Sequence, residues 1–175
     1  MKRRTLLLAA PTALLVSGCS AGEVAVFPTI TSAHVALTNL KTQPLRTTGA
    51  WPIGVVLAHL AQSIEYSLKG FPEMKGAAFR ATAGAAAWSV FSARGAMRHG
   101  LDEPIPGAPP IDSKTSEEQG TVRLLAALAA FEAHRGALQP HFAYGDLNKA
   151  DYARAHLMHM ANHWQEFVPM SAAKT

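Results

Sequence analysis

The 175-residue chain contains one cysteine, Cys19. A single thiol cannot make an internal disulfide or a redox pair. If Cys19 is consumed by acylation, a cysteine nucleophile is excluded as well, and any thiol chemistry must draw on a small-molecule thiol. Charge of one sign is also scarce. Lys2, Arg3 and Arg4 account for much of the basic excess, and without them 13 Lys+Arg face 12 Asp+Glu. So balanced a remainder gives no electrostatic reason to expect nucleic acid. No apolar run approaches the roughly 20 residues that a membrane-spanning helix needs. A Gly-rich phosphate loop, a Ser-centred elbow, an internal repeat and clear strand alternation are all missing.

The N-terminus reads as an address. Lys2, Arg3 and Arg4 precede a short apolar stretch, Leu6 to Val16, broken by Pro11. That pattern fits a secretory signal over residues 1–18. Leu15-Val16-Ser17-Gly18-Cys19 resembles a bacterial lipobox, which makes Cys19 the expected lipidation site and membrane anchor. The alternative is an ordinary secretory signal with an incidental cysteine. Arg3-Arg4-Thr5-Leu6-Leu7 resembles a twin-arginine export signal, although paired arginines also occur in ordinary signals. With Cys19 lipidated, either export route places the protein in the cell envelope, as a lipoprotein on the periplasmic side. Ser20 after the cysteine, in place of Asp, favours outer-membrane sorting. Residues 19–28 read as a tether, 29–168 as one domain and 169–175 as a tail. The 157 residues after the signal suffice for a real core.

The domain reads as helical throughout. A first helix is expected over Ile30 to Lys41, followed by a loop from Pro44 to Gly49. Pro52 suits the first turn of a second helix, which should reach Lys69 before Gly70 and Pro72. Ala77 to Met97 is alanine-rich and helical in pattern, and the proline-rich stretch Leu101 to Lys114 is a crossover. Ser116 with Gln119 makes a capping box for a helix whose apolar face includes Leu124, Leu125, Leu128 and Phe131. Asn148 should cap a last helix reaching about Phe167. The expected class is all-α, four or five helices around one core.

On that last helix Tyr152, His156, His159, His163 and Phe167 fall on one side at about 100° per residue. His159 and His163, four apart, have Cβ atoms roughly 5–6 Å from each other. Two such imidazoles can reach one ion at about 2.0–2.1 Å each. His59, on the second helix, would complete a three-nitrogen site with an open position. The competing explanation is a set of buried histidines satisfied by hydrogen bonds, or one edge of an amphipathic helix. His156 could ligate, support a ligand from behind or serve the fold. Gln62 and Ser63 share the His59 face and could line a pocket, whereas Glu65 points elsewhere.

Thr48-Gly49-Ala50-Trp51, the stretch Val56 to Ser67 containing His59, and Gly70-Phe71-Pro72 together resemble the DUF1569 family. So do Pro104 to Pro109, the turn Pro140 to Leu147, and the ending His159-Met160-Ala161-Asn162-His163-Trp164-Gln165-Glu166-Phe167. The resemblance spans roughly residues 30–168. That family is similar to the DinB and YfiT-like superfamily, which implies an up-down-down-up four-helix bundle holding a divalent metal such as Zn, Ni or Fe. Carried over, the ligands are His59, His159 and His163. Asn162 departs from the pattern, since the family often has a second histidine there. His141 lies in a recurrent turn, where it either approaches the mouth of the metal site or pins the loop. The latter role is the better supported.

The resemblance implies a thiol-dependent S-transferase with a small-molecule thiol as cosubstrate, or a metal-dependent hydrolase. Export argues against a ready thiol supply. The alternative is a non-catalytic envelope lipoprotein that binds metal, a ligand or a partner. Superfamily bundles often pair through helices, so a homodimer is consistent with either reading. The alanine-rich stretch 77–97 is a candidate contact surface, with internal packing as its simpler role.

Overall fold

One helix, α2 (Ile53–Lys69), runs through the middle of the molecule and exposes almost nothing. The computed structural model describes residues 26–42 and 44–170. Fourteen residues of α2 are buried, and only Glu65, Leu68 and Lys69 reach toward solvent. A helix apolar on most sides is the natural centre of a small core. Helix α2 packs on α4 (Glu117–Ala133) and α5 (Lys149–Trp164), while α1 (Ile30–Asn39) packs on α4 and α5, and α3 (77–94) packs on α5. The chain is mostly helical, as expected.

Local chemistry sets the helix ends. Thr29 caps α1 in a reciprocal box with Ser32, and Ser116 does the same for α4 with Gln119. Asn148 accepts from the Asp151 backbone N–H at 2.9 Å at the start of α5. Helix α3 is not uniform. Between Ala77–Phe79 and Ala85–Arg94 the segment Arg80–Gly84 widens to a π-helical turn, and the stretch ends at Gly95 in the left-handed region. It therefore stops short of Met97.

The core joins Val56, Leu57, Leu60 and Ile64 of α2 to Leu37 of α1 and to Leu124, Leu128 and Phe131 of α4. Met158 and Met160 of α5 complete it, and Leu125 is only partly buried. Each fully buried side chain of this size contributes roughly 1.5–3 kcal/mol. The most extensive contact is between α2 and α4. It depends on Gly120, where a Cβ would collide with the Gly54 carbonyl. Arg123 then fastens the two helices through a two-point contact to Glu65, at 2.8 and 2.9 Å.

Two short strands were not anticipated. The expected loop before α2 contains β1 (Leu45–Thr47), paired antiparallel with β2 (Phe167–Pro169). Thr47 stands opposite Phe167, so Phe167 leaves the helical stripe and α5 ends at Trp164. Three-residue strands carry too little alternation to be seen in a sequence, and their pairing joins segments about 120 residues apart. Phe27, in the stretch read as a tether, is buried and meets Trp164 edge-on at 5.0 Å. The signal, Cys19 and residues 171–175 lie outside the described residues. Among the described residues, no helix is long and apolar enough to cross a membrane.

Candidate metal centre

The central helix delivers His59 and the last helix delivers His159 and His163. One nitrogen from each can be chosen so that all three lie within 4.8 Å of one another. His59 Nε2 and His159 Nε2 are 3.3 Å apart. Ligands about 2.0–2.1 Å from a tetrahedral ion stand about 3.3 Å from each other. The ring centres are 5.1 Å apart for His59 with either partner and 5.0 Å apart for His159 with His163. Trp51 closes one side, meeting His59 edge-on and lying parallel to the His163 ring at 6.4 Å.

Hydrogen bonding supplies a test of whether these residues suit a metal. A buried histidine kept for the fold should have its ring nitrogens paired. His163 is fully buried, yet neither its Nδ1 nor its Nε2 has a hydrogen-bond partner. Leaving such a group unpaired costs about 1–3 kcal/mol. The nearest carboxylate, Glu166 Oε2, stands 3.9 Å from Nδ1, beyond hydrogen-bond reach. A cation among the three rings would satisfy one nitrogen, and a small closing movement of Glu166 would satisfy the other. The three histidines therefore could hold a metal ion.

Electrostatics agree with a ligand role. Burial pushes the His59 pKa down to about 4, helped by His99, and the His163 pKa down to about 3, helped by His59 and His99. Burial, with neighbouring imidazoles, also drives His159 well below its usual range. All three rings are neutral at pH 7 and keep the lone pairs that coordination requires.

The other residues singled out in the sequence take different places. His156 lies against Phe131 and Tyr152, with Nε2 3.2 Å from Ser67 Oγ. The Ser67 hydroxyl donates to the Ile64 carbonyl at 2.6 Å, so its oxygen accepts from His156. That pairing occupies His156 Nε2, and His156 is not among the three histidines whose nitrogens gather. His141 Nδ1 accepts from the backbone N–H groups of Ala143 and Tyr144, and its ring stacks on Tyr144 at 4.2 Å. It holds the 141–145 turn closed. Gln62 donates to the Pro109 carbonyl at 3.2 Å and faces a separate depression beside Arg123. Ser63 lines the histidine cavity, as do His141 and His156. Asn162 is buried beside His163 in sequence, and its Nδ2 has no partner.

A cavity of about 200 Å³ opens beside His59 and His159. Met97, Ile105, Phe142 and Tyr144 supply apolar wall, while the exposed Lys75 and Glu103 also border it. His99 lies on the same cavity wall and was missed by sequence reasoning. It sits on no helix and has no histidine at ligand spacing, so no pattern marks it. Only the fold brings its ring centre to 4.8 Å from that of His159 and 5.4 Å from that of His163.

Fold and site together define a mostly helical domain with a cluster of three imidazoles, two buried and one half-buried, able to hold a metal ion. The chain belongs to DUF1569, described as a protein family of unknown function, whose model matches residues 24–170. No curated protein and no solved structure matches it.

Proposed function

We propose that the protein is a DinB-like four-helix bundle, formed by α2 to α5, that holds one divalent metal on His59, His159 and His163 and acts on a small molecule in the adjoining cavity. The observation that carries this reading is that both ring nitrogens of fully buried His163 are unpaired, with one of them within 4.8 Å of a nitrogen of each of two other neutral imidazoles. Three imidazoles suit zinc, iron or nickel. Such an ion supplies Lewis acidity to activate a water or a small-molecule thiol as nucleophile. Hydrolysis or thiol transfer follows from that choice.

The chain's own residues do the positioning. His59 comes from the rigid centre of the core and the pair from one helical face, so the ligand set is preorganised. Trp51 shields it from water on one side. Met97, Ile105, Phe142 and Tyr144 hold the apolar part of a substrate against the open side. Glu65, committed to Arg123, takes no part in proton transfer.

Export and anchorage through Cys19 are part of the same proposal, with the metal domain standing at the envelope. A non-catalytic metal-binding lipoprotein is the second reading. It is favoured because Glu166, the carboxylate nearest the cluster, is not among the cavity-lining residues, and Glu103, the carboxylate that does border the cavity, is exposed.

Metal analysis of the full chain, purified without a polyhistidine tag, is the first test. One metal per chain is expected, and His59→Ala and His163→Ala should each remove it. Equal metal content in wild type and both variants would defeat the reading. Turnover of ester, amide and thiol-plus-electrophile substrates by the loaded protein then separates the enzyme from the binder.

A further inference from the structure

His99 occupies a place that its surroundings do not explain as fold. It is exposed, yet it lies in the short segment between two buried anchors, Met97 and Ile105. Those anchors hold the segment over the cluster. Its ring meets His159 and His163 edge-on, with centre distances of 4.8 and 5.4 Å, matching the 5.0 Å between those two rings themselves. Imidazoles bound tetrahedrally through nitrogens about 2.0–2.1 Å from one ion stand about 5 Å apart, centre to centre.

The hydrogen bond of His99 decides which nitrogen is available. Its Nδ1 lies 2.7 Å from the Gly100 carbonyl oxygen. A carbonyl only accepts, so Nδ1 carries the proton and donates. The lone pair is left on Nε2. Metal-binding histidines are commonly oriented in this way, with the second ring N–H given to a backbone carbonyl.

We propose that His99 is a fourth, exchangeable ligand of the site, binding through Nε2 and displaced by an anionic ligand or a thiolate arriving from the cavity. The proposal rests on the three-histidine reading above and extends it. Exchangeability follows from three contrasts. His99 is exposed where His59 and His163 are buried. It comes from an irregular segment where the others come from helices. It lies outside the set of nitrogens within 4.8 Å of one another, so it must move to bind. It also lines the cavity, so its departure opens the coordination position toward the space where a substrate would lie. An anionic replacement is favoured because four neutral imidazoles leave the charge of a divalent ion uncompensated.

The test uses the full untagged chain loaded with zinc for affinity or cobalt(II) for spectroscopy, comparing wild type, His99→Ala and His59→Ala. His99 is exposed, so His99→Ala should keep the wild-type circular dichroism spectrum. It should still bind one metal per chain, but about tenfold or more weakly in chelator competition. Its cobalt visible spectrum should differ from wild type and return toward it when free imidazole is added. Azide should bind His99→Ala more tightly than wild type, since no side chain needs to be displaced. Unchanged affinity and an unchanged cobalt spectrum in His99→Ala overturn the proposal while leaving the three-histidine site standing. If wild type and His59→Ala alike hold no metal, the three-histidine reading itself fails and takes this inference with it.

Discussion

Gly49 is the residue that makes room for the Glu166 carboxylate. A Cβ at position 49 would collide with the Glu166 carboxyl group, and the same carboxylate is the one that stands 3.9 Å from His163 Nδ1. The Thr48 backbone N–H donates to the Glu166 carbonyl at 2.8 Å, so main chain and side chain of Glu166 are both set by the segment before α2. The β1–β2 pairing continues that contact. A carboxylate behind a ligating histidine orients the ring and raises its basicity.

Glu166→Gln and Gly49→Ala should therefore both weaken metal binding, by about 10- to 100-fold, without removing a ligand. Chelator competition measures this. Wild-type affinity in both variants would mean that the carboxylate is a bystander.

Metal should stabilise the fold. Binding to the native state alone adds about 2.7 kcal/mol when the free ion stands at 100 times its dissociation constant. Thermal melting with and without a chelator should show a lower Tm for the stripped wild type. His163→Ala should melt at one temperature in either condition.

His156 should separate fold from site. Truncation to Ala removes a buried ring and leaves Ser67 without its donor, costing about 2–4 kcal/mol in urea unfolding. Metal stoichiometry should stay at the wild-type value. Metal loss with unaltered stability would instead place His156 among the ligands.

Acid should destabilise the metal-free protein earlier than carboxylate titration alone allows. Burial lowers the pKa of His59 to about 4, and of His141, His156 and His163 to about 3, from the ordinary 6.5. Below pH 6.5 the unfolded chain takes up protons that the native state refuses. Stability is thus fully present above pH 6.5 and falls as pH drops toward the folded values. Each such histidine contributes a slope of up to about 1.4 kcal/mol per pH unit. Urea midpoints measured from pH 7.5 to 5 in chelator should decline steadily, and His156→Gln should make the decline shallower. A flat profile over that interval would show that these rings protonate without unfolding.

The Arg123–Glu65 contact should matter to the fold alone. Arg123 holds the Glu65 carboxyl below its usual range, and both side chains are partly solvated. Arg123→Ala should cost about 1–2 kcal/mol, the value of a charge-assisted contact reduced by solvent screening, and leave metal content unchanged. Equilibrium unfolding and metal analysis on one preparation check both halves.

Much of the fold and half of the ligand pattern is legible in the sequence. Capping residues Ser116 and Asn148 announced α4 and α5 because a side chain that satisfies a helix-terminal N–H acts within three residues. The pairing of His159 with His163 was equally local, since 3.6 residues per turn puts them on one face wherever the helix lies. His59 could be nominated from its helix but not positioned. The β1–β2 ribbon, the burial of Phe27 against Trp164, the seating of Glu166 beside Gly49 and the approach of His99 all depend on partners far apart in the chain.

Sequence alone determined the helical class and the two-histidine half of the site, because helix periodicity and capping are short-range physics. Tertiary structure decided the rest. Close packing around α2 brought His59 to the pair, left His163 without a hydrogen-bond partner and laid an irregular segment bearing His99 across the opening. Such distances are products of the whole core rather than of any one stretch, so no local pattern could record them.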